Sequence, residues 1–166
     1  MKRRSRISGG LRLFCLLAML MAYLAILSYG LFFAEGMDRS LVHGTYNLVP
    51  FHEIGRVIRY ADVLGWQFVA INLGGNILAF LPLGFLTAAI WSEEKLAFTP
   101  ALVILTFLFS STVESLQYLT SVGVADVDDV ILNTIGGFLG CEMDHLCKKF
   151  ILQIHRIPAI PGGEAG

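Results

Sequence analysis

Four long apolar runs separated by polar stretches set the pattern of this chain. The first extends from Leu11 to Phe33 behind the basic segment Lys2-Arg3-Arg4-Ser5-Arg6. The second covers about Phe68 to Ile90 between Trp66 and Trp91, the third Pro100 to Leu119, and the fourth Val127 to Cys147. A helix of about 20 apolar residues crosses a bilayer, so each run predicts a spanning helix. The first run is too long for a signal peptide and lacks a small-x-small cleavage site before Glu35, which predicts an uncleaved anchor. Trp66 and Trp91 are spaced to reach opposite interfaces as an aromatic belt. Pro100 suits a first helical turn. Pro82 falls inside the second run and should kink its helix, freeing a carbonyl near Leu78.

The segments between the runs carry weaker patterns. Ala34 to Gln67 is the long connection: an extended stretch over Asn47-Leu48-Val49-Pro50-Phe51, where Pro50 biases Val49 away from helix. Ile54, Val57, Ile58 and Ala61 then recur at helical spacing, with His52, Glu53, Arg56 and Arg59 elsewhere. That pattern predicts a short amphipathic helix on the membrane surface. Ser92 to Thr99 is a brief loop without chemistry. Pro158 to Gly166, rich in Pro and Gly, predicts disorder. The chain divides into a basic N-terminus (1–10), a four-helix transmembrane domain (11–147) and a tail (148–166), an all-α polytopic architecture.

Composition agrees. Of 166 residues, 55% are hydrophobic and only 15% charged, with a net charge of −1; mean hydropathy is +0.69. Soluble domains average about 25% charged residues. The neutral sum excludes a general attraction to nucleic acid, but the distribution of charge is uneven. Lys2, Arg3, Arg4, Arg6, Arg12, Lys95, Lys148, Lys149 and Arg156 fall on the N-terminal side of the predicted bundle, against Arg39, Arg56 and Arg59 on the other. The positive-inside rule then places both termini in the cytoplasm and the 34–67 segment outside. Cys15, Cys141 and Cys147 lie in or beside apolar runs without metal-ligand spacing, and read as helix-packing thiols rather than a disulfide framework.

Against this apolar background the polar side chains carry information, because such groups face a bundle interior or a watery cavity. Asn72 and Asn76 are one turn apart on the second helix, with Gly75 and Ala79 alongside where another backbone could approach. Ser110, Glu114, Gln117 and Ser121 form a stripe on the third helix, and Asp129, Asn133, Gly136 and Gly140 another on the fourth. Gly136 and Gly140 make a small-xxx-small pair for close helix packing. Because the third helix runs opposite to the second and fourth, all these polar groups share the outer end of the bundle. The candidate binding network is Asn72, Asn76, Glu114, Gln117, Asp126, Asp128, Asp129 and Asn133. Its residues serve either as interhelical glue or as the border of a ligand or ion site.

Asp126-Val127-Asp128-Asp129 concentrates carboxylates that could hold Ca²⁺ or Mg²⁺. It lacks the glycine and distal glutamate of an EF-hand loop, and Asp126 or Asp128 as the cap of the fourth helix accounts for it better. No metal or other cofactor is expected, and no Ser–His or Cys–His pair suggests a nucleophile. His43 and His52 read as surface residues.

Several segments together resemble the VanZ-like family. They are Asn47-Leu48-Val49-Pro50-Phe51, Asn72-Leu73-Gly74-Gly75-Asn76 running on to Phe80-Leu81-Pro82-Leu83-Gly84, Ser110-Ser111-Thr112-Val113-Glu114-Ser115-Leu116-Gln117, and Asp126 through Gly137. The resemblance covers a core of about 46–140. The chain departs from it in Ser121-Val122-Gly123-Val124, where many members carry an arginine before the acidic cluster. The resemblance implies a multi-pass protein of the bacterial inner membrane with a cell-envelope role, and an association with teicoplanin resistance. It implies no defined reaction. Three functions follow as expectations. The first is a non-enzymatic protein whose outer polar pocket binds an envelope precursor, a lipid headgroup or a glycopeptide. The second is a small homo-oligomeric transporter or flippase using Glu114 and Asp129, and the third a metal-dependent hydrolase.

Overall fold

The computed structural model describes residues 6–33, 46–91 and 99–155. Its elements in chain order are α1 (Arg6–Phe32), β1 (Tyr46–Asn47), α2 (His52–Arg59), α3 (Ala61–Leu64), α4 (Trp66–Ile90), α5 (Thr99–Leu119), β2 (Ala125–Asp126) and α6 (Val127–His155). The four apolar runs become α1, α4, α5 and α6. By length and composition, α1 from Gly9 onward, α4 and α5 are able to cross a membrane. α6 is the longest helix at 29 residues, but Asn133, Glu142, Asp144 and His145 interrupt its apolar sequence. On that criterion three helices qualify where four were expected. Residues 92–98 of the inner loop, His43 and residues 156–166 of the C-terminal tail lie outside the described residues.

Much of the apolar surface faces outward. Leu11, Phe14, Met21 and Ile26 of α1, Ile71 and Leu78 of α4, and Ile104 and Leu108 of α5 are all exposed. In water such a coat would drive aggregation; in a bilayer it is the lipid-facing surface, since only the backbone must be satisfied internally there.

α4 and α6 form the densest packing, and glycine is the reason. A Cβ on Gly84 would strike the Gly137 carbonyl, one on Gly136 that of Ile77, and one on Gly140 that of Leu81. Backbone therefore lies against backbone, the arrangement that small residues permit in membranes. The Thr106 side chain of α5 sits on Gly137, closing the third helix onto the same seam. Cys141 is fully buried there, its Sγ 3.5 Å from the Gly84 carbonyl. The expectation of packing thiols holds for Cys141 alone, because Cys15 and Cys147 are exposed; all three are unpaired. Gly75, expected to admit a neighbouring backbone, has nothing within 4 Å of a Cβ built on it. Gly84, nine residues nearer the other end of the helix, takes that role.

α4 remains helical through Pro82. The Tyr23 hydroxyl of α1 donates to the Ala79 carbonyl at 2.5 Å, beside the Leu78 carbonyl that Pro82 leaves without its usual donor. Leu27 of α1 packs with Phe80 and Leu83 around this contact. At the far end, Lys148 pairs with buried Asp144 and donates to the Ala88 carbonyl at 3.1 Å, satisfying the last turn of α4.

The extended stretch expected over 47–51 is shorter than its sequence suggests. Only Tyr46 and Asn47 pair, in parallel, with Ala125 and Asp126. The chain then turns, with the His52 amide on the Val49 carbonyl at 3.2 Å and Phe51 in a left-handed conformation (φ 63°). The amphipathic helix forms as two pieces. Val57 and Ala61 are buried against Val69 and Leu73 of α4, and Ile58 is exposed.

If the α4–α6 seam holds the bundle together, alanine at Gly136 or Gly140 should each cost about 1–3 kcal/mol through overpacking. Gly75→Ala should be neutral or stabilising, as expected for an open helix position. Thermal unfolding in detergent measures the difference.

Candidate functional site: a polar junction at one end of the bundle

Helix periodicity and the α4–α6 seam determine which polar groups meet. With the first turn of α6 beside the third turn of α4, Asn76 Nδ2 donates to Asp129 Oδ1 at 2.5 Å. One turn deeper, Asn133 Nδ2 donates to Ser110 Oγ of α5 at 2.9 Å, and both residues are buried. Asn133 Oδ1 is buried with no hydrogen-bond partner among the described residues. Glu114, buried near the end of α5, accepts the Asp126 amide at 3.1 Å.

The acidic run serves two helix starts rather than one. Asp126 Oδ1 accepts the Asp128 amide at 2.8 Å, an N-cap of α6 at its second residue. The same oxygen accepts Asn47 Nδ2 at 2.9 Å, which ties the cap to β1. Asn47 Oδ1 in turn accepts the Val49 amide at 3.2 Å, so one side chain shapes the turn and joins it to the acidic run. Asp128 is 1% exposed. Its carboxylate accepts the Phe51 amide at 2.5 Å, the Glu53 amide at 2.8 Å and the Ile54 amide at 3.1 Å. These are donors that the first turn of α2 leaves without partners. Phe51, the residue preceding α2, offers no side-chain cap; Asp128 supplies one from across the junction.

Two candidate residues stand apart. Asn72 is exposed and donates to the Phe68 carbonyl of its own helix at 3.2 Å. Gln117 donates from Nε2 to the Leu31 carbonyl at 3.1 Å, joining the end of α5 to that of α1. Ser121, expected on the α5 stripe, lies beyond the helix in a left-handed turn (φ 55°). The network brought together is Asn76, Glu114, Asp126, Asp128, Asp129 and Asn133. Asn47 and Ser110 complete it. Asn47 was signalled by its place before Pro50 and Ser110 by its place on the α5 stripe, and both fall in the family-like segments. Among the described residues, no three His, Cys, Asp or Glu side chains are grouped to hold a metal ion; Asp126 and Asp128 point to different sets of amides.

Two clefts flank the junction. One of about 380 Å³ is lined by Tyr46, Leu48, Ser115, Tyr118, Leu119 and Ala125, with Tyr46 and Tyr118 edge to face. The other, about 320 Å³, lies over α2.

Burial raises the Asp126 carboxyl above the usual aspartate value of 3.8, and the charges of Asp128 and Glu53 add to this; the Asp128 amide and Asn47 pull the other way. A carboxyl that holds its proton more tightly when folded costs stability once ionised. That cost grows as pH rises from the ordinary value toward the folded-state one, and is absent in acid below both. Asp126→Asn keeps the acceptor oxygen but cannot ionise. It should therefore gain stability relative to wild type as pH rises above about 4, as read by thermal midpoints at each pH. Asp128→Ala should release α2, since hydrogen bonds to a charged group contribute about 1.5–3 kcal/mol. Amide exchange at Phe51, Glu53 and Ile54 should accelerate at least about tenfold, with the middle of α4 unchanged.

The sequence profile of the VanZ/LLP1 family matches residues 14–147. Protein VanZ of Enterococcus faecium is 32% identical over 107 residues, covering 64% of this chain and 56% of that protein. The chain thus spans little more than half the length of this relative. No solved structure matches it. The matched region contains α4, α5, the junction and most of α1 and α6, and with the apolar helices it makes this chain a membrane protein that belongs to the VanZ/LLP1 family.

Proposed function

We propose that this is a non-enzymatic protein of the bacterial inner membrane that binds an envelope component at the outer end of its bundle, with glycopeptide resistance as the phenotype. In this reading α1, α4, α5 and α6 all cross the membrane and both termini are cytoplasmic. The bias of Lys and Arg toward the end opposite the junction supports that orientation. The ligand is an envelope precursor, a lipid headgroup or the antibiotic itself.

The observation that carries the reading is the convergence of α4, α5, α6 and the 46–54 backbone on one buried polar junction, flanked by two clefts. Polar groups at membrane depth are costly and tend to mark function. Here they fix a surface segment against the bundle end, as a preorganised binding surface requires. Glu114 and Asp129 are engaged by fixed partners on neighbouring elements, which favours a binding role over that of a mobile ion carrier. Kinship with Protein VanZ supports the resistance phenotype.

Expression of the full chain in a teicoplanin-susceptible Gram-positive host should raise the inhibitory concentration of teicoplanin. Glu114→Gln and Asn133→Ala should return it to the empty-vector level at equal membrane abundance. Unchanged susceptibility across wild type and both variants would contradict the reading.

A further inference from the structure

The second cleft has a chemistry that the carboxylate junction does not use. His52, Arg56 and Arg59 follow one another at four and three residues along α2, which puts them on one face. All three are exposed. With Phe51, Gly55 and Tyr60 they line the cleft of about 320 Å³. Gly55 forms an open floor, since a Cβ built there meets nothing within 4 Å.

The opposite face of this segment sets its depth. Val57 and Ala61 pack on Val69 and Leu73, in the first two turns of α4. Tyr60, just after α2, and Trp66, the first residue of α4, are both exposed; aromatic residues at helix ends mark the interface between headgroups and hydrocarbon. The cationic face therefore opens at the height of lipid headgroups. Glu53 holds Arg56 through three contacts of 2.6–3.1 Å, fixing the guanidinium and balancing its charge. Arg59 makes no ion pair among the described residues. Arginine's planar fork matches phosphate oxygens, and Phe51 and Tyr60 offer apolar walls to the rest of a lipid.

We propose that the α2 cleft binds the phosphate of an anionic membrane lipid, with Arg59 as the principal contact and Arg56 held beside it. This deepens, and rests on, the reading that the outer end binds an envelope component, but at a place distinct from the carboxylate junction. Arginines in the last turn of a helix also favour its dipole; a lipid site differs in requiring the open floor at Gly55.

The test is titration of the fluorescently labelled full-length chain, in a neutral detergent, with mixed micelles containing dioleoylphosphatidic acid. Binding should saturate, and Arg59→Gln should weaken it about fivefold, the effect of one basic residue at an anionic surface. Gly55→Leu, placed in open space within α2, should leave the thermal midpoint unchanged or raised and abolish saturable binding by filling the cleft. Unchanged affinity in either variant overturns the proposal. So does inorganic phosphate that competes as effectively as the lipid, which would assign the cleft to a soluble anion. If Glu114→Gln and Asn133→Ala abolish the teicoplanin phenotype while Arg59→Gln keeps full lipid affinity, the lipid site alone falls. If the phenotype survives both substitutions while lipid binding depends on Arg59, the junction's role falls instead.

Discussion

The contact of backbone on backbone between α4 and α6 is the constraint from which the rest of the structure follows. Lipid tails are as apolar as leucine, so helices in a bilayer gain little from burying greasy side chains and depend on close packing and polar contacts. Gly84, Gly136 and Gly140 let the two helices approach until carbonyls occupy the space side chains would fill. That closeness fixes rotation and register together. Asn76 then has to face Asp129, Thr106 of α5 settles on Gly137, and Asn133 meets Ser110.

What the seam positions, Asp128 extends beyond the bundle. A buried carboxylate needs several donors to offset its desolvation, and here the donors are backbone amides at the start of α2. The helix start needs an acceptor and the acid needs donors, so each satisfies the other. Asp126 joins the same region to β1 through Asn47, and Glu114 holds the Asp126 amide from α5. The acids at this end thus act first as anchors. Their work leaves the outer surface of α2, with its arginines, free to meet whatever lies in the headgroup layer.

Much of this was legible in the sequence, for reasons that differ by feature. Apolar runs are long and one-dimensional, so the helices from the runs ending at Phe33, Ile90 and Leu119 end within a residue of expectation, while α6 continues past Cys147 to His155. The Gly136/Gly140 pair signalled the seam, and the shared end of the polar groups followed from alternating helix direction. Rotation about each helix axis was harder. Four residues advance by about 40° beyond a full turn, enough for Asn76 to face α6 while Asn72 faces outward on its own backbone. The role of Asp128 depends on partners 74–77 residues away, and no local pattern encodes such a pairing. β1 and β2, two residues each, are too short to show an alternation. The segments that resemble the VanZ-like family include residues that build the junction, among them Asn76, Glu114 and Asp126.

The central claim is that the polar junction and α2 occupy the outer, water-exposed end of the bundle. Labelling of substituted cysteines with a membrane-impermeant maleimide tests it most directly. Leu48 and Arg59 are exposed at the junction end, and Cys147 is exposed near the end of α6. With Cys15 replaced by serine, Leu48→Cys and Arg59→Cys should add labelling in intact cells, whereas Cys147 should react only after the cells are permeabilised. Labelling of Cys147 in intact cells, with the two introduced positions protected, would contradict the account.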